Sequence, residues 1–335
     1  MPRRLIDLRG SETPLLDVAS YTRPGPGRRD RISPVTLETI VRTVRRDPEV
    51  MVKVLSRGGQ DLGAIRRHLE YLRLRDEGEL DLETDEGGRL SGHGVARELL
   101  EDWDLDLEEH RRRADLEAGS GRSAKLVHKL MFSMPAGTPP EKVLAAVKNF
   151  AREEFALKHR YAMVLHTDEP HPHVHMVVKA VSEQGKRLHI RKATLRRWRR
   201  EFARHLQELG VPANATERAV RGQSQPPKQD GIYRLEQRGH SHRTRERAEG
   251  VARELLDGNR RFEAGKAALL ETRKRVERGW EAISDILVAE GKRELAARVM
   301  RFAAEMPPPM TERELIGEEL GRRIRPARTR DQLAR

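Results

Sequence analysis

The stretch His166-Thr167-Asp168-Glu169-Pro170-His171-Pro172-His173-Val174-His175, followed by Met176-Val177-Val178, sets the reading of this chain. Tyr161 to Leu165 before it and Val174 to Val181 after it are rich in apolar and β-branched residues, so the proline-broken segment between them predicts a hairpin connection. Side chains alternate between the two faces of a strand, so His173 and His175 share one face and Val174 and Met176 take the other. His166, at the end of the preceding strand, brings a third imidazole across the hairpin. Imidazoles gathered on one face repel when protonated and are costly to desolvate otherwise, so a divalent metal explains the cluster better than packing does. Ligating histidines need hydrogen-bond partners behind them, and Asp168 and Glu169 are placed to serve. Three protein ligands leave positions open, as catalytic metals require. His171 falls out of phase, before Pro172, and reads as loop.

Composition narrows the partners. The chain has 335 residues, 36% of them charged and 4% aromatic, which predicts one compact domain with extensions. A net charge of +13 points to a polyanion, since Lys and Arg surfaces bind nucleic acid through counterion release. With no cysteine, disulfides, thiolate catalysis and thiolate zinc sites are excluded, so any metal must sit on His and carboxylate. No apolar run of membrane-spanning length and no signal-peptide core are visible, which predicts a cytoplasmic protein without membrane insertion.

Working outward from the hairpin, Val50, Met51, Val52 and Val54 predict a strand. Asp61 then caps a helix whose buried stripe is Leu62, Ile65, Leu69 and Leu72. Tyr71 lies off that stripe, with His68 and Arg75 three and four residues away and Arg67 on the same side. Residues 76–120 are acidic and read as a hairpin or loop and then a surface helix. Leu126 to Met134 alternates as a strand and stops at Pro135 and Gly137. Thr138 is the expected cap of the next helix, with Pro139 and Pro140 at its opening and Val143, Leu144, Val147, Phe150 and Phe155 as its buried side. Its N-terminal amides, with Ser133 and Thr138, suit a phosphate, although ordinary capping is the plainer reading. A short strand, Leu188 to Ile190, leads into a basic helix. There Leu195, Trp198, Phe202, His205, Leu206 and Leu209 form one side, and Arg196, Arg197, Arg199 and Arg200 the other, a face for tracking phosphates or simply for solvent.

These elements run strand, helix, strand, helix, three strands, helix, which predicts an α+β fold, an antiparallel sheet with helices on one side, followed by a helical, charged C-terminal region. Three parts are expected: a basic flexible N-terminal segment, residues 1–46, in which Pro34 opens a short helix; a folded domain, 47–222; and a linker with a helical basic region, 223–335, ending in the Arg-rich stretch Arg322 to Arg335.

In their order and spacing these residues resemble a family. The run His-Thr-Asp-Glu-Pro-His-Pro-His-Val-His is similar to the metal motif of conjugative relaxases, HUH endonucleases of the mobilisation and T-DNA-border-nicking branch, with His166, His173 and His175 at the positions of its three metal-binding histidines. The His-Leu-Glu-Tyr-Leu helix around Tyr71 resembles the motif that carries the nucleophile. Phe-Ser-Met-Pro-Ala-Gly-Thr around Ser133 resembles the motif that contacts DNA. Tyrosine, serine and histidines follow in the family's order within residues 47–222. The resemblance implies a relaxase palm that nicks a transfer origin, single-stranded at the nick, and forms a 5′-phosphotyrosyl adduct for conjugative transfer. It also implies an accessory origin-binding protein and a type IV secretion coupling protein that exports the adduct. Some relatives use a histidine as nucleophile, which leaves His68 as the alternative to Tyr71.

The residues support that chemistry on their own terms. A cation on three histidines polarises a phosphate oxygen and offsets transition-state charge. Tyr71 attacks phosphorus, helped by the metal and by Arg67 or Arg75, because a free phenol has a pKa of about 10. Magnesium or manganese suits phosphate chemistry, whereas three imidazoles favour zinc or nickel by affinity. Two rivals remain. One is a histidine-triad nucleotide hydrolase using His171, His173 and His175, which Pro172, the length and the basic charge oppose. The other is a non-catalytic DNA-binding protein with a structural metal.

Overall fold

The computed structural model describes residues 16–22, 31–55, 59–75, 78–92, 94–109, 125–224, 242–257 and 263–331. In chain order these give helix α1 (Pro34–Val44), strand β1 (Met51–Leu55), α2 (Leu62–Arg73), the short strands β2 (Leu74–Arg75), β3 (Gly78–Glu79), β4 (Leu82–Thr84) and β5 (Arg89–Leu90), and α3 (Val95–Asp102). They continue with β6 (Val127–Ser133), α4 (Pro140–Phe155), β7 (Tyr161–His166), β8 (His173–Lys179), α5 (Lys192–Glu208), α6 (His242–Leu256), α7 (Ala264–Ala289), α8 (Arg293–Ala304) and α9 (Glu312–Asp331). Among the described residues no helix is long and apolar enough to cross a membrane.

Two compact units share the chain. The first spans Arg45–Ala215 and is built on a six-stranded sheet in the order β1-β6-β8-β7-β4-β5, all pairs antiparallel. The central strands β6, β7 and β8 are those the apolar alternation predicts. One sheet face carries Val52, Leu130, Phe132, Met163, Val174 and Met176, and α4 and α5 cover it with Val147, Phe150, Trp198, Phe202 and Leu206. Phe132 lies between the rings of Phe150 and Phe202, with centroids 5.0 and 5.3 Å away. Burial of each such side chain is worth about 1.5–3 kcal/mol, enough to hold two amphipathic helices on the sheet.

The other face is covered only in part. Ile65, Leu69 and Leu72 of α2, with Val95 and Leu99 of α3 and Trp103, pack on Val127, Ala162, Val164 and Val177. Helices therefore add to both faces, not one, because the stripe on α2 finds apolar β-branched residues between the histidines and the far end of the strands. Asp61 caps α2 as the sequence predicts, accepting a 2.6 Å hydrogen bond from the Ala64 amide.

Three local expectations change. Thr138 does not cap α4; its hydroxyl donates to the Pro135 carbonyl at 2.8 Å and closes the preceding turn, while Pro139 takes the cap position and Pro140 the first helical one. Leu188 to Ile190 is not a strand. A single bridge, Val181 to Arg187, holds it to the β8 end, too little pairing for a ladder. The N-terminal segment is the largest correction.

Leu16–Val44 and Thr216–Arg335 form the second unit. Leu16, Val18, Tyr21, Ile32 and Ile40 enter its core with Val276, Trp280, Ile283, Val299 and Phe302. Residues 16–22 and 31–44 are thus ordered parts of a helical core and not a flexible tail. Their apolar residues are too sparse among arginines and prolines to show a period, and they acquire a core only from helices more than 200 residues away in sequence. Residues 1–15 and 23–30 of the expected tail, and 225–241 of the expected linker, lie outside the described residues.

Candidate functional site

The register places the histidines in a grid. On the partly covered face three cross-strand rows run over β1, β6, β8 and β7: Met51, Ser133, His173 and His166; then Lys53, Met131, His175 and Val164; then Leu55, Lys129, Val177 and Ala162. Cross-strand partners share a face, so the three histidines predicted as ligands stand together, with Ser133 immediately beside His173. Each offers a ring nitrogen, and these nitrogens lie within 4.8 Å of one another.

Ring spacing tests whether a metal fits. At a metal–nitrogen distance of about 2.1 Å, ring centroids sit about 4.6 Å apart for ligands at right angles and about 5.3 Å at the tetrahedral angle. The observed separations are 4.8 Å for His166–His175, 5.2 Å for His166–His173 and 5.2 Å for His173–His175. The donor set fits a divalent cation. His173 Nδ1 lies 3.0 Å from the His171 carbonyl, a bond that turns Nε2 to the cluster as the acceptor.

His166, only 1% exposed, makes the connection that sequence could not show. Its Nε2 lies 2.8 Å from the carbonyl oxygen of Leu72. Leu72 is in the last turn of α2, where carbonyls have no partner within the helix, so the imidazole N–H fills an open acceptor. The residue before it is Tyr71, whose side chain is 47% exposed. One turn earlier on α2, His68 brings its ring centroid to 6.3 Å from that of His175, nearly perpendicular to it. Burial, then the charge of Lys129 and of His166, push the His68 pKa down to about 4, so its imidazole is neutral at physiological pH. The order of the site is therefore Tyr71, His68 and Leu72 on one helix end, against His166 and His175 on the sheet.

Other expected residues fall variously. Asp168 and Glu169 are exposed in the turn between β7 and β8, while His166 and His173 bond to backbone carbonyls. His171 is a loop residue as expected, and it braces the turn after β6 by accepting the Ala136 amide at 2.9 Å. Ser133 is buried, its hydroxyl 3.4 Å from the Met134 carbonyl. Arg67 is exposed and lies 4.0 Å from Asp61; the side chain of Arg75 is outside the described residues.

The arginines of α5 are elsewhere. That helix packs on the sheet face opposite the histidines, with Trp198 and Phe202 buried. Arg197 forms a two-pronged pair with Glu154 at 2.6 and 2.5 Å, and Arg199 reaches the Val52 carbonyl at 3.4 Å. Arg196 and Arg200 flank them, half-buried. The amphipathic period that buries Trp198 is the same one that turns this basic row away from the triad.

Sequence reasoning passed over Lys53 and Lys129. Both stand on the histidine face, and Lys129 is 5% exposed. Period-two alternation along β6 does align Lys129 with Met131 and Ser133, but only the pairing with β8 shows that this face is the histidine face.

Known proteins point to the class that the motifs suggest. Residues 79–211 match the nuclease domain of the MobA/VirD2-like relaxases. The matched stretch contains Ser133 and the three histidines and begins after Tyr71. Among individual proteins, the T-DNA border endonuclease VirD2 of Rhizobium radiobacter is 26% identical over 190 residues, an alignment covering 53% of this chain and 44% of that protein. The chain is similar to relaxases over this stretch, and it spans less than half the length of that relative.

Proposed function

We propose that this protein is a metal-dependent relaxase that nicks one strand of DNA through Tyr71. The nicking domain is assigned to residues 47–222. The observation that carries the reading is the hydrogen bond from His166 to the Leu72 carbonyl, which holds the end of the tyrosine helix against the histidine cluster. The match of residues 79–211 to the relaxase nuclease domain supports it.

His166, His173 and His175 would hold the cation. Bound there, a divalent metal supplies Lewis-acid polarisation of a non-bridging phosphate oxygen. Tyr71 forms the new bond from its phenolic oxygen to phosphorus as the bond to the 3′ oxygen breaks. The phenol gives up one proton and the leaving 3′ oxygen gains one, so the products are a 5′-phosphotyrosyl strand and a 3′ hydroxyl. The ester bond is conserved, and rejoining needs no ATP. Exposure of Tyr71 suits a nucleophile that must meet a strand arriving from solvent. Ser133, beside His173, and Thr138, in the turn after β6, are assigned to the strand near the nick; Asp168 and Glu169, exposed in the hairpin turn, are assigned an outer supporting role beyond the backbone carbonyls that His166 and His173 engage. Arg67 and Arg75 supply positive charge on the tyrosine side, and Arg196, Arg197, Arg199 and Arg200 a remote basic surface.

The protein would act at a transfer origin with an accessory origin-binding protein and a type IV secretion coupling protein, in the bacterial cytoplasm, with the adduct exported and Arg322 to Arg335 as the candidate signal. Magnesium or manganese is the proposed ion. Two measurements test the reading. Supercoiled plasmid carrying a transfer origin is incubated with the protein and Mn²⁺ or Mg²⁺: a nick and a 5′ covalent adduct are expected, and both vanish in Tyr71→Phe. An adduct persisting in that variant refutes the nucleophile and moves the assignment to His68. His173→Ala should end metal-dependent nicking.

A further inference from the structure

Outside the histidine triad, one side chain on the same face is energetically out of place. Lys129 projects from β6 and is 5% exposed, yet no described carboxylate forms an ion pair with it. Several other cations of this unit are matched: Arg160 to Asp85 and Asp102, Arg197 to Glu154, Arg204 to Glu153 and Glu201, Lys148 to Glu83, and Lys179 to Glu183. Burying an ammonium without a counter-ion is costly, and such groups persist where an anion completes them. The burial cost shows in the amine itself, whose pKa is pushed down to about 8.

Position identifies the anion. Lys129 pairs with Val177, one row from Met131 and His175. Diagonal neighbours on adjacent strands lie about 7–8 Å apart, and a lysine side chain reaches about 6 Å from its Cα, so the ammonium can serve a group next to whatever the triad holds. On the far side is Leu55 of the edge strand β1, and Lys53 stands one row up, opposite Met131. Lys129 lies at the edge of the cover given by α2 and α3, beside Val127 and Val177 which they pack on and close enough for its charge to act on His68, whereas Met131, Lys53 and Leu55 beyond it are not among those contacts. Cations alternating with Met131 and Leu55 suit a nucleic-acid backbone with its bases, for which thioether and aliphatic side chains give sequence-tolerant apolar contact.

Resting on the proposed nicking reaction, we infer that Lys129 binds a backbone phosphate of single-stranded DNA adjacent to the phosphate at the triad. The strand then runs from the histidines toward β1, across Met131 and past Lys53. Lys129 is a binding residue and takes no part in bond making.

The test uses the full chain and 5′-labelled oligothymidylate, with fluorescence anisotropy at several salt concentrations. Lys129→Met takes away the partner of one phosphate on a single strand, so it is expected to weaken binding about fourfold at about 0.15 M salt and to lower the slope of log affinity against log salt by about 0.7. Lys129→Arg keeps both. Because methionine removes a buried unpaired charge, the Lys129→Met melting temperature without DNA stays level or rises, and Mn²⁺ binding measured by calorimetry is unchanged. Wild-type affinity and slope in Lys129→Met overturn the inference while leaving the nicking reaction intact. A fall in melting temperature with an unchanged salt slope marks a packing role and overturns it too. If the wild type binds oligothymidylate with this lysine dependence but forms no adduct at any origin tried, the reaction is refuted and the phosphate site stands. A wild type that does not bind the strand refutes both.

Discussion

Metal binding by the triad should be visible as stability, independent of any DNA. Three nitrogens within 4.8 Å of one another lie on a circle of radius at most about 2.8 Å, so each needs to move inward by no more than about 0.7 Å to reach a bond length of about 2.1 Å. His166 is clamped by Leu72 and His173 by the His171 carbonyl, which limits the ordering that binding requires. The site is formed by cross-strand register and disappears when the sheet unfolds, so the ion binds the native state selectively. At an ion concentration about a hundred times the dissociation constant the gain is about 2.7 kcal/mol. For a unit of about 150–250 residues, one kcal/mol moves the melting temperature by about 2–4 °C, which predicts a rise of about 5–11 °C. Calorimetric scans of the sheet unit's transition, with Mn²⁺, Mg²⁺, Zn²⁺ and Ni²⁺ titrated in turn, measure it and rank the ions. His173→Ala should cut the rise to under about 1 °C at the same concentrations, whereas His171→Ala should retain it. No shift with any of the four ions, or a full shift in His173→Ala, refutes the metal centre.

Two further perturbations probe the scaffold. His128 is half-buried on β6 with its Nε2 3.1 Å from the Leu188 carbonyl, and this burial drives its pKa down to about 4, against about 6.5 unfolded. Between those values the unfolded chain binds more protons, so stability falls as pH is lowered from about 6.5 toward 4; discounting for partial solvent access, about 1 kcal/mol is lost between pH 7 and pH 5. Urea midpoints at the two pH values should converge in His128→Gln, and an unaltered pH dependence in that variant would show that other groups carry it. In the second unit, a Cβ on Gly279 would lie 2.5 Å from the Val18 carbonyl oxygen and 2.7 Å from its carbon. Backbone cannot yield as a side chain end does, so Gly279→Ala should cost about 1–3 kcal/mol and loosen residues 16–22 from α7. Amide exchange of that segment no faster than in the wild type would contradict the packing.

How legible the molecule was depended on the distance over which each feature is decided. Strands β6, β7 and β8 and helices α2, α4 and α5 show in the sequence because burial on one face writes a period of two or 3.6 into adjacent residues. The same rule aligned His173 with His175 and set His171 aside, and the hairpin brought in His166. Thr138 misled because a hydroxyl before two prolines has two nearby carbonyl and amide targets, and only the turn geometry chooses between them. Leu16, Val18 and Tyr21 were illegible because their core partners are α7 and α8, and a few apolar residues among basic ones carry no periodic signal.

The site divides along the same line. The sequence by itself determined which residue types were present for metal and phosphate chemistry, and that three histidines would share a strand face, since alternation is a local consequence of backbone geometry. Tertiary structure decided the rest. It set the Leu72 carbonyl on His166 and thereby the tyrosine helix on the triad, turned the arginines of α5 to the far side of the sheet, and put Lys129 one row from His175. Each of these is a matter of register or docking between segments about 50 to 100 residues apart, fixed by which apolar surfaces exclude water together, and no local pattern records that pairing.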